Sequence, residues 1–472
     1  MVDKRLCTLL LIIVASALIG CAQKEVPPTQ PTQPTLTPTQ SESVMKPNQV
    51  QNIFIETNPN VELISIVYSM TTFNHWTIPV YANYTYWDDV KNQFSQYKTH
   101  LAVKNAQKLV DLGFAWDAPY NLILHYSHPP ELQKTEEYSN QLVERIEINR
   151  VDWLIDNFVD SLRDFAYESN FKEFYTNHSL IYNQSIEEVR SKTNVENQII
   201  WAEHFYGDKA NEYHILLAHG LYGKGGFMVP VDDKVYIIFR MGDIKNGKPV
   251  FVTDVDKFNL TVLWLVSYYF LDKCLDQNKK NVDSLSYLYA DYGYWLKMLR
   301  DSYVLAFLAY SIEDYSGLKN AENFLNSRIG YLYVTPKIWE MYRKYESNRD
   351  KYQDFCSFFP ETIEALKDIP YVVSTYPQKG SIVDANEVSK IVVTFSEPVS
   401  QKSYAFVTSK NGEYPETTGK PYFINSTTVV LPVKLKPSTN YALFINLPPK
   451  YAGFKDLNGN PVAPYELVFK TK

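Results

Sequence analysis

The chain carries eight histidines, and their spacing decides which metal or acid–base chemistry is open to it. His125 and His128, in LHYSHPP, stand just before a Pro-Pro break. Two imidazoles so placed can share a metal, but no third ligand lies near them in sequence. Polar residues at a strand end are the simpler account. His214 and His219 fall in a segment predicted as a strand. Their odd spacing sends them to opposite faces, and they make poor co-ligands. GLYGKGGF (220–227) is glycine-rich but lacks the Gly-Lys-Ser/Thr ending of a phosphate loop, so it reads as a tight turn between strands. No Gly-x-Ser-x-Gly elbow is present, and an α/β-hydrolase nucleophile has no support.

The most apolar stretch outside the N-terminus is LWLVSYYFL, residues 263–271. It lies in a predicted helix from about Asp256 to Asp276 that is apolar on every side between Leu260 and Leu271. Charges at Asp256, Lys257, Asp272 and Lys273 bracket about 15 residues, or roughly 22 Å of helix. A membrane span needs about 20 residues. This helix is therefore predicted to be buried in a sizeable domain, beside a second long helix over 284–312. Helical spacing also marks 61–70, 88–112, 131–170 and 185–205. Between 213 and 252, β-rich runs separated by Gly and Asp/Asn turns predict a small antiparallel sheet, so the fold class is α+β. From Tyr371 onward, short alternating strands and polar turns such as DLNGN (456–460) predict an all-β sandwich.

The N-terminus pairs Lys4 and Arg5 with an apolar run from Leu6 to Ile19, the pattern of an export signal. Residues 26–40, VPPTQPTQPTLTPTQ, favour extended polyproline II and predict a semi-rigid stalk. The balance of 46 basic to 53 acidic residues gives −7 without long single-sign runs, which argues against a nucleic-acid partner. Cys7 lies in the signal. Cys274 and Cys356 could pair in an oxidising compartment or remain buried thiols, and the absence of CxxC excludes a zinc ribbon.

Three resemblances add to this. Leu18-Ile19-Gly20-Cys21 resembles the lipobox of prokaryotic lipoproteins, which implies cleavage before Cys21, lipid attachment there and anchoring to a membrane. STYPQKGS, VVTFSEPV, LKPSTNYAL, FKDLNGNPV and the closing FKTK resemble the SbsA-type bacterial Ig-like domain over roughly residues 369–472. Such modules are spacers or adhesive appendages. Finally, VELISIVYSM together with Tyr345, Asn348-Arg349-Asp350, Lys351-Tyr352, Phe355, Phe359-Pro360 and Ile363-Glu364 resembles an uncharacterised family of secreted proteins akin to gluzincin metallopeptidases. That likeness covers about residues 60–368.

In that family the buried helix carries HExxH, and a glutamate on the next long helix completes a zinc site. Its two histidines share a helical face, and its glutamate serves as general base. The resemblance puts Trp264 at the first His, Leu265 at the Glu and Tyr268 at the second His, with Asp301 as third ligand. Ser267 and Phe270 agree with the surrounding pattern. Indole nitrogen has no lone pair for a metal, and leucine takes no proton. Tyrosine ligates only as phenolate, with a reference pKa of about 10. The expectation is a degenerate zinc site with no catalytic residue, metal or cofactor.

The expected organisation is a signal peptide (1–20), a stalk (21–50), a gluzincin-like α+β domain (51–368) and an Ig-like β-sandwich (369–472). The expected function is a lipid-anchored pseudopeptidase, extracellular or on the periplasmic face of a prokaryotic membrane, binding a peptide, glycan or envelope protein. The alternatives are a hydrolase with its metal moved to His125 and His128, or a purely structural envelope protein. Metabolic labelling with radioactive palmitate is expected to mark the native protein and not Cys21→Ala. An unlabelled native protein would remove the lipid anchor.

Overall fold

The computed structural model describes residues 52–472 apart from 74, 77 and 79–82. The expected signal peptide, Cys21 and the stalk lie outside the described residues. The described chain falls into two compact units, one of residues 52–198 and 210–265, the other of residues 199–209 and 266–472.

The first unit is built on a sheet of β1 (Ile53–Glu56), β2 (Glu212–Tyr222), β3 (Gly226–Val231) and β4 (Lys234–Met241), in the order β1-β2-β4-β3. The fold class is α+β, but the sheet is mixed rather than antiparallel. β2 runs parallel to both β1 and β4, and β3 alone is antiparallel, to β4. Parallel neighbours need a long crossover, which the helices between β1 and β2 supply. β3 and β4 are instead joined tightly through Asp232-Asp233, where Asp232 takes φ 52°. GLYGKGGF links β2 to β3 across the sheet, not between hairpin partners. A short hairpin of β5 (Asp243–Lys245) and β6 (Lys248–Val250) follows.

Helix α1 (Pro59–Ser69) begins at Asn58, whose side chain accepts the Asn60 and Val61 N–H groups, with Pro59 in the first turn. Every residue from Asn60 to Tyr68 is buried, so α1 is a core helix. Helices α2 (Thr85–Phe94) and α3 (Ser179–Lys192) also belong to this unit.

Helix α4 (Val255–Gln277) is 23 residues long and passes from the first unit into the second. Among the described residues no helix is long and apolar enough to cross a membrane. The second unit continues with α5 (Trp295–Ser316), α6 (Thr335–Glu346) and α7 (Phe355–Lys367). The helix expected from 284 begins only at Trp295. Residues 286–292 form a tighter turn broken at Tyr289, and Gly293 then takes φ 79°, which ends any helical run. Between these helices Phe205, Tyr206, Tyr342, Tyr345, Phe355 and Phe359 pack ring against ring. The Arg349 guanidinium donates to the Phe205 and His204 carbonyls at 2.8 and 2.9 Å. The conspicuous 345–364 block is thus a packing and capping signature.

The sandwich comprises β7 (Val372–Tyr376), β8 (Ile382–Val383), β9 (Lys390–Phe395), β10 (Phe406–Thr408), β11 (Glu416–Thr417), β12 (Tyr422–Asn425), β13 (Thr428–Lys434), β14 (Asn440–Ile445) and β15 (Tyr465–Thr471). One sheet runs β10-β14-β15-β8. The other runs β11-β13-β9-β7, with β12 also on β13. Ile391, Val393, Leu431, Leu443, Phe454 and Phe469 fill the space between them. The sandwich is seated on the helical part of its unit. Asp291 accepts from Lys379 Nζ at 2.6 Å and from the Glu466 N–H at 2.7 Å, while Tyr287 packs on Tyr371.

Cys274, near the end of α4, is bonded to Cys356 at the start of α7. The bridge closes a sequence separation of 82 residues. Loop-closure entropy makes such a link worth about 4 kcal/mol. Reductant, or Cys356→Ser, is expected to lower the denaturation midpoint of the second unit by a matching amount. An unchanged midpoint in thermal or urea unfolding would show that the bridge does not form in solution.

Candidate functional site

Trp264, Leu265 and Tyr268 lie on α4, at the positions that the resemblance marks for comparison with a zinc site. Tyr268 donates its hydroxyl to Asp301 Oδ1 at 2.6 Å. The other carboxylate oxygen of Asp301 is 2.5 Å from Lys297 Nζ, one turn earlier on α5. Asp301 is only 4% exposed, so its charge is answered by protein and not by water. Arg300 lies over the Tyr268 ring, 4.6 Å from its centroid, and pairs with Asp272 through bonds of 2.7 and 2.6 Å. Burial first, and the Asp301 charge second, push the Tyr268 phenol well above its ordinary pKa. It stays protonated and holds its hydrogen on Asp301.

The structure therefore brings Tyr268 and Asp301 together, within a charge-balanced knot. Leu265 is buried in the first unit beside Gly226 of β3, where an added Cβ would stand 3.5 Å from Leu265 Cδ1. Trp264, half-buried, lies on the same stretch of helix. Ser267 is fully buried.

The histidines divide by environment. His125 is fully buried, its Nδ1 on the Asn121 carbonyl at 2.8 Å and its Nε2 accepting the Ser139 N–H at 3.2 Å. Both nitrogens are committed. His128 is exposed at a cleft of about 320 Å³ that Asn60, Tyr126 and Tyr236 also line. His214 is stacked between Phe54 and Tyr236 and bonded to Glu56 and Glu212 at 2.7 and 3.0 Å. Burial opposes its protonation, but the two carboxylates outweigh burial and hold its pKa up. Among the described residues no group of three His, Cys, Asp or Glu side chains could hold a metal ion.

One feature escaped the sequence reading. Glu62, the single charge in α1, is completely buried. Its carboxylate accepts from the N–H groups of His219 and Gly220, at 2.6 and 3.1 Å, and from the Tyr86 hydroxyl at 2.7 Å. Tyr182 donates to Tyr86 at 3.1 Å, and His219 Nε2 meets Ser185 Oγ at 2.9 Å. Gly220 permits this approach, since a Cβ there would come within 2.4 Å of Ser65. Burial raises the Glu62 pKa from 4.5 to about 7, against the pull of its three donors. Burial likewise lowers His219 from 6.5 to about 3, leaving it neutral and unable to act as a counter-ion. A lone Glu in the apolar run VELISIVYSM was the available signal.

Architecturally this is an α+β body followed by an Ig-like sandwich. Residues 53–365 match the family described as a domain of unknown function, DUF4932, and residues 367–471 match the bacterial Ig-like domain, Big_5. The chain belongs to the DUF4932 family. No curated protein sequence matches it. Among solved structures, the S-layer protein rSbsC(31-844) is 16% identical with a TM-score of 0.15, over 44% of this chain and 33% of that one. The N-terminal part of the bacterial S-layer protein SbsC is 16% identical with a TM-score of 0.16, over 47% of this chain and 61% of that one. The chain thus spans less than two thirds of either, and at such TM-scores no common fold follows.

The raised pKa of Glu62 has a sign. Its stabilisation is fully present below pH 4.5 and is lost as pH rises through about 7. His219 works the other way, its contribution present above pH 6.5 and lost as pH falls toward about 3. Glu62→Gln removes only the first effect. Its stability deficit against the native protein is expected to be about 3 kcal/mol larger at pH 4.5 than at pH 7, read by urea unfolding at both. A deficit independent of pH would show that Glu62 titrates normally.

Proposed function

We propose that this chain is an exported, lipid-anchored protein of a prokaryotic cell surface whose DUF4932 body is a peptidase-like scaffold that binds a partner without cleaving it. The observation that carries this is the knot of Tyr268, Asp301 and Lys297. Where the family resemblance would place a zinc ion between two helices, a phenol and an ammonium saturate the carboxylate instead. With Trp264 and Leu265 at the remaining positions, no base or ligand is left for zinc-activated water. The lipobox at Cys21 and the bacterial Ig-like match support the surface location.

A peptide is the favoured partner over a glycan or a folded envelope protein. Among the described residues β3 ends its sheet with β4 as its one strand neighbour, and an extended peptide can add to such an edge by main-chain hydrogen bonds. A structural envelope role is the second reading, favoured by the seating of the sandwich through Asp291. The hydrolase with a relocated metal loses its first ligand, because both nitrogens of His125 are engaged.

Metal analysis and peptide-cleavage assays on the purified protein test the proposal. The expected result is no stoichiometric zinc and no cleavage. One zinc per chain, removed by chelator together with a measurable peptidase activity, would overturn it.

A further inference from the structure

We propose that the face of the sheet opposite α4 carries a second site, which takes a ring-bearing organic carboxylate through Arg240. Phe239 and Arg240 are neighbours on β4 and point to opposite faces. Phe239 stacks on Phe258 of α4 with ring centroids 4.0 Å apart, so Arg240 looks away from that helix. There its guanidinium lies over the indole of Trp76, 5.1 Å from the centroid. Phe227 of β3 stacks on the same indole at 5.1 Å, and Trp116 meets it edge-on at 5.5 Å. The exposed His75 ring stacks on Trp116 at 4.4 Å.

Three features set this cluster apart from ordinary packing. The first is an unanswered charge. Among the described residues no carboxylate pairs with Arg240, and the one hydrogen bond of its guanidinium runs from Nη2 to the Lys224 carbonyl at 2.6 Å. Nε is buried without a partner. Burial lowers the guanidinium pKa to about 10, so it remains a cation at neutral pH. Leaving a half-buried cation unpaired in a chain with excess acid is unfavourable unless a ligand completes it. Lys224, exposed beside it, adds a second positive charge.

The second feature is the glycine-rich turn that GLYGKGGF forms. Gly223 and Gly225 take φ 130° and 81°, and a Cβ on Gly223 would sit 3.2 Å from Arg240 Nη1. Glycine lets the chain fold over the guanidinium without a side chain blocking that nitrogen. The third is Trp116, which holds φ 64°, a left-handed conformation that is strained for a bulky aromatic residue. Its indole lies against Trp76 and His75.

The chemistry specifies the ligand class. A planar guanidinium fork matches a carboxylate, and the aromatic surfaces beside it suit the apolar face of a ring carried on the same molecule. An aromatic acid and a sugar acid share that chemistry. Calorimetric titration of the full chain with benzoate, benzamide, glucuronate and inorganic phosphate tests the site. Saturable binding of benzoate or glucuronate is expected, the tighter of the two naming the source. Benzamide, with the ring but no charge, is expected to bind about tenfold more weakly or worse. Arg240→Met should weaken the carboxylate by a similar factor, and Arg240→Lys by less, with both variants melting like the native protein. The site is refuted by no saturable carboxylate binding, by benzamide or phosphate matching the carboxylates, or by Arg240→Lys binding as weakly as Arg240→Met.

Discussion

A carboxylate sealed from water must find its hydrogen bonds in the protein, and this requirement at Glu62 organises the first unit. Its three donors come from β2 and α2, so α1, the sheet and α2 are held to one carboxylate. The approach works only because position 220 lacks a side chain. Tyr182 and Ser185 of α3 then complete the polar shell around Tyr86 and His219. A buried group of this kind is costly if any partner is lost, and it allows one register of helix against strand.

The second unit solves a similar problem with opposite charges. Asp301 pairs with Lys297 within α5, Asp272 of α4 pairs with Arg300 of α5, and the Tyr268 phenol of α4 fills the remaining hydrogen bond of Asp301. A metal site concentrates acidic or neutral ligands and leaves the ion to balance them. Here the side chains balance one another, so an added cation would have to displace an ammonium already in place. The two units thus carry buried polar centres of different kinds, one an unpaired carboxylate held by neutral donors, the other a closed set of ion pairs.

How much was legible in the sequence follows from range of interaction. The length limit on LWLVSYYFL and the alternating strands after Tyr371 are local patterns, and both hold in the structure. The sheet was read as antiparallel because the strands of 213–252 follow one another closely. Within that segment β2 pairs in parallel with β4 because β3 crosses to the far edge, and the parallel pairing of β1 with β2 depends on a partner more than a hundred residues away, so neither leaves a local trace. The start of α5 was misplaced because Gly293 interrupts an otherwise helical pattern. Arg240 and the aromatic rings around it were invisible for the same reason of range. They come from four separate stretches, and only the glycines of GLYGKGGF hinted that backbone and side chain meet closely there.

The sequence by itself determined the fold class and the strand character of the C-terminal region. These rest on side-chain chemistry and short-period patterning, which do not need a fold to be read. Only the tertiary structure decided that Tyr268 and Asp301 meet, that Cys274 bonds Cys356, and that among the described residues Glu62 has no cationic partner and Arg240 no carboxylate. Pairing between distant residues is set by packing, and a residue type alone does not say which neighbour will answer its charge.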